Sequence, residues 1–275
     1  MMRKQQPLFI PVSLIAIFLG LLIIANIAPE KDSNDSSTPT TYFKPITSSF
    51  SSAFDMKPIV DFSGWQVPNK INYDTLASSI SGAILRVQSG SHTKKDNASS
   101  YAGGRDKYFD THAKELQKRH VPIAVYAYAI GKNTDEMKKE AQTFYDYAQK
   151  YHPTYYWIDV EEKSMDDMDK GVTAFKEELE RLGAKNIGLY SNAEFIKANG
   201  IDTSKFSAVW LADYGVTDSG VYGTSPNATL DYDLHQYTAS GTIGGISSNV
   251  PVDLNIINPE KDPNAVYKKL FGHPQ

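Results

Sequence analysis

Beyond residue 58 the chain alternates short apolar runs with amphipathic or turn-rich stretches. The runs 59–61, 83–87, 123–128, 155–159, 187–190, 208–211, 234–237 and 252–254 are rich in β-branched and aromatic residues and predict strands. Helical periodicity fills 107–119, 134–150 and 166–182, the last opening with Ser164 and Asp167 at capping-box spacing and closed by Gly183. Strands alternating with helices imply a parallel sheet with right-handed crossovers, and eight of them in one domain imply a closed, TIM-like α/β barrel. After about residue 200, glycines such as Gly215, Gly220 and Gly241 stand where helices would, so the last strands are expected without covering helices. No internal repeat is visible.

The N-terminus has a different pattern. No charge occurs from Gln5 to Pro29, and 8–27 is almost wholly apolar. Twenty helical residues span roughly 30 Å, the thickness of a bilayer's hydrocarbon core. Arg3 and Lys4 precede the run, which predicts a transmembrane anchor over 1–28 with the rest of the chain outside the cell. The alternative is a cleaved signal peptide with a secreted product. It is disfavoured because the run exceeds the usual ~7–15-residue apolar region and a cut after Ala28 would leave Asn26 at −3 and Pro29 at +1. Half of the positions in 29–58 are Ser, Thr or Pro, which predicts a flexible linker before a 59–275 barrel domain. Its aromatics Tyr42, Phe43, Phe50 and Phe54 are candidates to dock on that domain.

Charge and composition narrow the chemistry. The formal net charge is −4, and without Arg3 and Lys4 it becomes 26 basic against 32 acidic residues, or −6. Such a domain lacks the electrostatic footprint of a nucleic-acid binder. Cysteine is absent, which excludes disulfides, thiolate metal sites and Cys nucleophiles. The six histidines show no paired metal spacing, and the Asp166, Asp167, Asp169 cluster fits a helix N-terminus better than a calcium site. No Walker loop, G-x-S-x-G elbow or G-x-G-x-x-G is present. No metal or cofactor is therefore expected.

In α/β barrels chemistry sits at the C-terminal strand ends. The first predicted strand ends at Asp61, the fourth runs into Asp159 and Glu161, and the last carries Asp253. Side chains alternate along a strand, so Asp159 and Glu161 should point the same way, about 6.5–7 Å apart at Cα. Carboxyls gathered in one cleft resist ionising together, so one is held protonated as a general acid requires. Trp65, Tyr126, Tyr128, Tyr190, Trp210, Tyr214 and Tyr237 surround them as candidate sugar-stacking residues, with Gln236 as a polar partner. Trp157 and Tyr155 are expected in the core.

The sequence Val60-Asp61-Phe62-Ser63-Gly64-Trp65-Gln66, then Asp159-Val160-Glu161, Trp210-Leu211-Ala212-Asp213-Tyr214, Gln236-Tyr237 and Val252-Asp253-Leu254-Asn255 resembles glycoside hydrolase family 25, the N-acetylmuramidases or lysozymes. The resemblance runs in order through essentially all of 59–260. It implies a (β/α)5(β)3 barrel and hydrolysis of the β-1,4 bond between N-acetylmuramic acid and N-acetylglucosamine in peptidoglycan. By the same resemblance Glu161 is the general acid, Asp159 stabilises the substrate's attacking 2-acetamido group or acts as nucleophile, and Asp61 and Asp253 shape the cleft. Two positions depart from the family pattern: His235, where Trp is common, and Ile59, where Gly is common. The resulting expectation is a membrane-anchored, monomeric hydrolase acting on peptidoglycan strands outside the cell. A non-catalytic wall-binding protein and a chitin-directed glycosidase on the same barrel are the alternatives.

Overall fold

A computed structural model of the protein describes residues 52–226 and 229–272. The apolar run 8–27 and the linker as far as residue 51 lie outside them. Among the described residues no helix is long and apolar enough to cross a membrane.

Eight strands close into one barrel in chain order: β1 (Ile59–Phe62), β2 (Gly82–Ser89), β3 (Ile123–Tyr128), β4 (Tyr156–Asp159), β5 (Ile187–Ser191), β6 (Ala208–Ala212), β7 (Leu234–Gly241) and β8 (Val252–Ile257). Each overlaps a run expected from the sequence. Strands β1 to β7 run parallel, whereas β8 pairs antiparallel with both β7 and β1. That reversal was not apparent in the sequence.

Helices α1 (Tyr73–Ser79), α2 (Phe109–Gln117), α3 (Thr134–Ala148), α4 (Met168–Leu182) and α5 (Ala193–Ala198) follow the first five strands, and α6 (Pro263–Phe271) follows β8. The order is therefore five β/α units and three strands. The capping box expected at Ser164 does not form. Asp167 caps α4 through Lys170 N, and the Ser164 hydroxyl instead donates to Gly131 O at 2.8 Å.

Strand alternation sorts the side chains into two layers. Val60, Leu85, Val125 and Ile158 face outward and pack with Leu116, Phe144 and Phe175 of the helices. Ile59, Ile84, Trp157, Trp210 and Leu234 fill the barrel, and Leu270 and Phe271 of α6 join that cluster. Trp157 lies flat against β5, where only glycine fits: a Cβ on Gly188 would stand 2.3 Å from its ring. Among the described residues no helix packs on the outer face of β7. There Tyr222 packs against Tyr237 and His235 (ring centroids 5.6 and 5.9 Å), and Phe54 packs on Tyr222 at 5.1 Å. Phe54 belongs to a short 3-10 turn, Ala53–Asp55, in the last stretch of the expected linker, where Ala53 is buried.

Candidate active site

Parallel strands bring their C-terminal ends to one rim, and antiparallel β8 brings its N-terminal end there. Asp61 and Asp253 are consequently direct Cα partners, as are Tyr128 and Asp159, and Asp159 and Tyr190. The four acids meet in a cleft of about 160 Å3 lined also by Tyr126, Tyr190, Trp210, Tyr214, Gln236 and Ala239. β4 ends at Asp159, so Glu161 reaches the cleft from the connection beyond the strand; it is exposed as a residue, whereas Asp159 is buried.

Amides order the floor. Gln236 Nε2 and Asn255 Nδ2 donate to Asp61 Oδ2 at 2.9 and 2.8 Å. The hydroxyls of Tyr190 and Tyr214 both donate to Gln236 Oε1 at 2.6 Å, and Trp210 Nε1 donates to Asn255 Oδ1 at 2.7 Å. Each amide is thus held by its oxygen and turned so that its N–H meets a carboxylate.

Burial raises all four carboxyls above the usual range, and their mutual charge modifies the effect. Asp61 is the best-stabilised anion, because the Asn255 and Gln236 donors oppose its burial. Asp253 is held well above the ordinary value by burial and then by Asp61 next to it, with which it shares a hydrogen bond. Asp159 is likewise pushed well up, by burial first and then by Glu161 and Asp61, while Arg86 opposes. Glu161 is raised by burial, and Asp159 within hydrogen-bonding range counteracts part of that rise. The four carboxyls therefore resist ionising together. Asp159 Oδ1 is buried with no hydrogen-bond partner among the described residues.

The sequence-expected sugar contacts fall into four groups. Tyr126, Tyr190, Tyr214 and Gln236 line the cleft. Trp210 lies at its floor but is only 1% exposed, so it supports Tyr190 (ring centroids 4.3 Å) instead of offering a stacking face. Tyr128 and Trp65 stand outside the acid cleft; Tyr128 OH donates to Glu162 Oε2 at 3.2 Å, and Trp65 is 59% exposed four residues past Asp61. The structure places Tyr237 apart from the cleft: alternation along β7 turns Gln236 inward and Tyr237 outward onto Tyr222. Asn255 was missed as a site residue. Its signal was its position two residues after Asp253, on the same face of β8. Among the described residues no group of acidic or histidine side chains is arranged to hold a metal ion.

The sequence profile of glycosyl hydrolases family 25 matches residues 60–246. Among solved structures, the chain is similar to a glycosyl hydrolase 25 of Streptococcus pneumoniae, described as a virulence factor participating in host cell invasion. That similarity has 49% identity and a TM-score of 0.76, over 81% of this chain and 96% of the other. The catalytic domain of an endolysin from bacteriophage P40 of Listeria monocytogenes is 28% identical with a TM-score of 0.66, over 79% and 98% of the two chains. An autolytic lysozyme of Clostridium acetobutylicum is 32% identical over 99 residues, which is 35% of this chain but only 28% of that protein.

Proposed function

The chain belongs to glycosyl hydrolases family 25, and from that premise we propose that it cleaves the β-1,4 bond between N-acetylmuramic acid and N-acetylglucosamine in peptidoglycan, with retention of configuration through the substrate's own acetamido group. The observation that carries the mechanism is the buried, unpartnered Asp159 Oδ1 beside Glu161. Asp159 and Glu161 line the same small cleft, and each acts on the ionisation of the other.

The acetamido N–H supplies the donor that Asp159 Oδ1 lacks. Accepting it stabilises the Asp159 anion and moves the proton shared by the pair onto Glu161. Glu161 then protonates the departing glycosidic oxygen while the acetamido oxygen attacks the anomeric carbon, closing an oxazolinium ring whose positive charge faces Asp159. Water opens that ring, and Glu161, now a carboxylate, takes the water's proton. Asp61 and Asp253 keep the floor anionic opposite the developing cation.

Replacing Glu161 by Gln should lower clearing of purified walls by at least about 100-fold, the usual worth of a general acid, with an unchanged unfolding curve. Undiminished clearing by that variant overturns the assignment. Wild-type protein that pellets with walls without clearing them would instead be a binder, and reducing ends released from chitin but not from peptidoglycan would identify a chitin-directed enzyme. Mass spectrometry of the products checks the bond, since a muramidase leaves N-acetylmuramic acid at the new reducing end.

The site of action follows from 8–27, whose length and flanking charges support a single-pass anchor that holds the barrel outside the cell. Retention of the full chain in washed membranes, with the barrel open to added protease, tests it. One chain supplies all four acids, which is the ground for expecting a monomer.

A further inference from the structure

The connection 90–108 between β2 and α2 has features that bond cleavage does not use. It carries Lys94, Lys95, Arg105 and Lys107 to the barrel end that holds the acids. Arg105 is taken by Asp110, but Lys94 and Lys95 are exposed and make no ion pair among the described residues. Tyr101 is 46% exposed, with Lys107 Nζ 5.4 Å from its ring centroid.

The connection is firmly built. Asn97 Oδ1 accepts from Ser99 N and Ser100 N, both at 2.8 Å, and Asp96 Oδ1 from Ala102 N at 2.8 Å. Buried Glu140 accepts from Ser91 N at 3.0 Å. Buried Asp106 pairs with Arg86 at 3.0 Å and accepts from Gly64 N at 2.6 Å. The connection therefore lies against the turn beyond Asp61, so closely that a Cβ on Gly64 would stand 2.1 Å from Ser99 O. Trp65 is the next residue. The flank beyond β4 has the opposite sign: Glu161, Glu162, Asp166 and Asp167 against Lys163.

We propose that the β2-side rim, formed by Lys94, Lys95, Tyr101 and Lys107 beside Trp65, is a subsite for the anionic peptide stem carried by the muramic acid. The inference rests on the peptidoglycan reading of the cleft. A glycan strand crossing the cleft brings carboxylate-bearing stems with it. The four acids and the β4 flank repel those carboxylates, while the β2 rim offers them cations next to apolar ring faces. Substrate orientation follows: the stem projects over 90–108, and the enzyme prefers peptide-substituted glycan to bare glycan.

The experiment compares the wild type with the K94Q/K95Q double variant and with Tyr101→Ala on three substrates: purified walls, walls stripped of stems by an amidase, and walls stripped of phosphate polymers by hydrofluoric acid. The readouts are KM for clearing and the fraction of protein that pellets. The wild type should favour stem-bearing walls, and each variant should cut that preference roughly 3–10-fold, the size of a few surface charge and ring contacts. A preference unchanged in both variants overturns the proposal, as does binding that is lost with the phosphate polymers instead of the stems. Failure to clear any substrate would refute the cleavage reading, while pelleting would still decide the stem subsite.

Discussion

Asp61 differs from its three companions in having two amide donors on one oxygen, and this asymmetry decides where charge resides. Asp253, with no such donors, is the carboxyl whose ionisation the fold resists, through burial and then through Asp61. A carboxyl raised above its unfolded value contributes stability that is present below the unfolded value of 3.8 and lost as pH rises through the folded one. Asp253→Asn removes that loss. The variant should melt above the wild type at pH 7 by on the order of 1 kcal/mol, or roughly 2–4 °C, with the gap closing below pH 4. A gap of the same size at pH 3 and pH 7 would show that ionisation is not its source. At this scale the sequence was informative for the acids, because each lies at or just beyond the end of a recognisable strand. It was silent on Gln88, and it placed Asn255 beside Asp253 without showing its role, because the importance or burial of both depends on neighbours from other strands. Gln88 is 1% exposed with its amide unpartnered, which the structure does not explain.

Among elements, strands were legible because burial on both faces leaves an unbroken apolar run, whereas the short helices were not. α1 and α5 have seven and six residues, under two turns, so no periodicity develops. Their signals were local: Asn72 and Asn192 cap them through Thr75 N and Phe195 N, each with an acidic residue in the first turn. α6 was not expected from the sequence either; its local signals were Asp262 at its cap and Pro263 at its first turn. The α4 start shows how such signals compete. Both Ser164 and Asp167 are good caps, and tertiary contact with Gly131 O draws Ser164 away. Asp167→Ala should therefore cost about 1 kcal/mol in chemical denaturation, while Ser164→Ala leaves helix content unchanged by circular dichroism. Gly188→Ala tests the barrel interior. Its Cβ must displace the Trp157 ring, which should cost about 1–3 kcal/mol; a neutral effect would mean that the ring is free to move.

For the whole molecule, five β/α units cannot cover eight strands, and the uncovered outer face of β7 has to be sealed by other means. Tyr222, Tyr237 and His235 do so as an edge-on aromatic group, and Phe54 extends it from a segment whose composition alone resembles a linker. Beyond Phe54, Lys57 Nζ donates to Ser78 O at 2.6 Å and Lys57 O accepts from Ser81 Oγ at 2.8 Å, while Ala53 is buried. Ser and Thr content masked this attachment, because composition reports average solubility and not the few contacts that tie a strand's leader down. A chain beginning at residue 59 should accordingly be less stable than one beginning at residue 52, by roughly 2–4 kcal/mol from lost burial and hydrogen bonds. For a domain of this size the melting temperature should fall by roughly 5–15 °C. Because the acids lie at the opposite end of β1 from this segment, the activity per folded molecule should persist below the new transition. Superimposable melting curves would place the start of the folded unit at residue 59 and leave Phe54 as a bystander on the barrel wall.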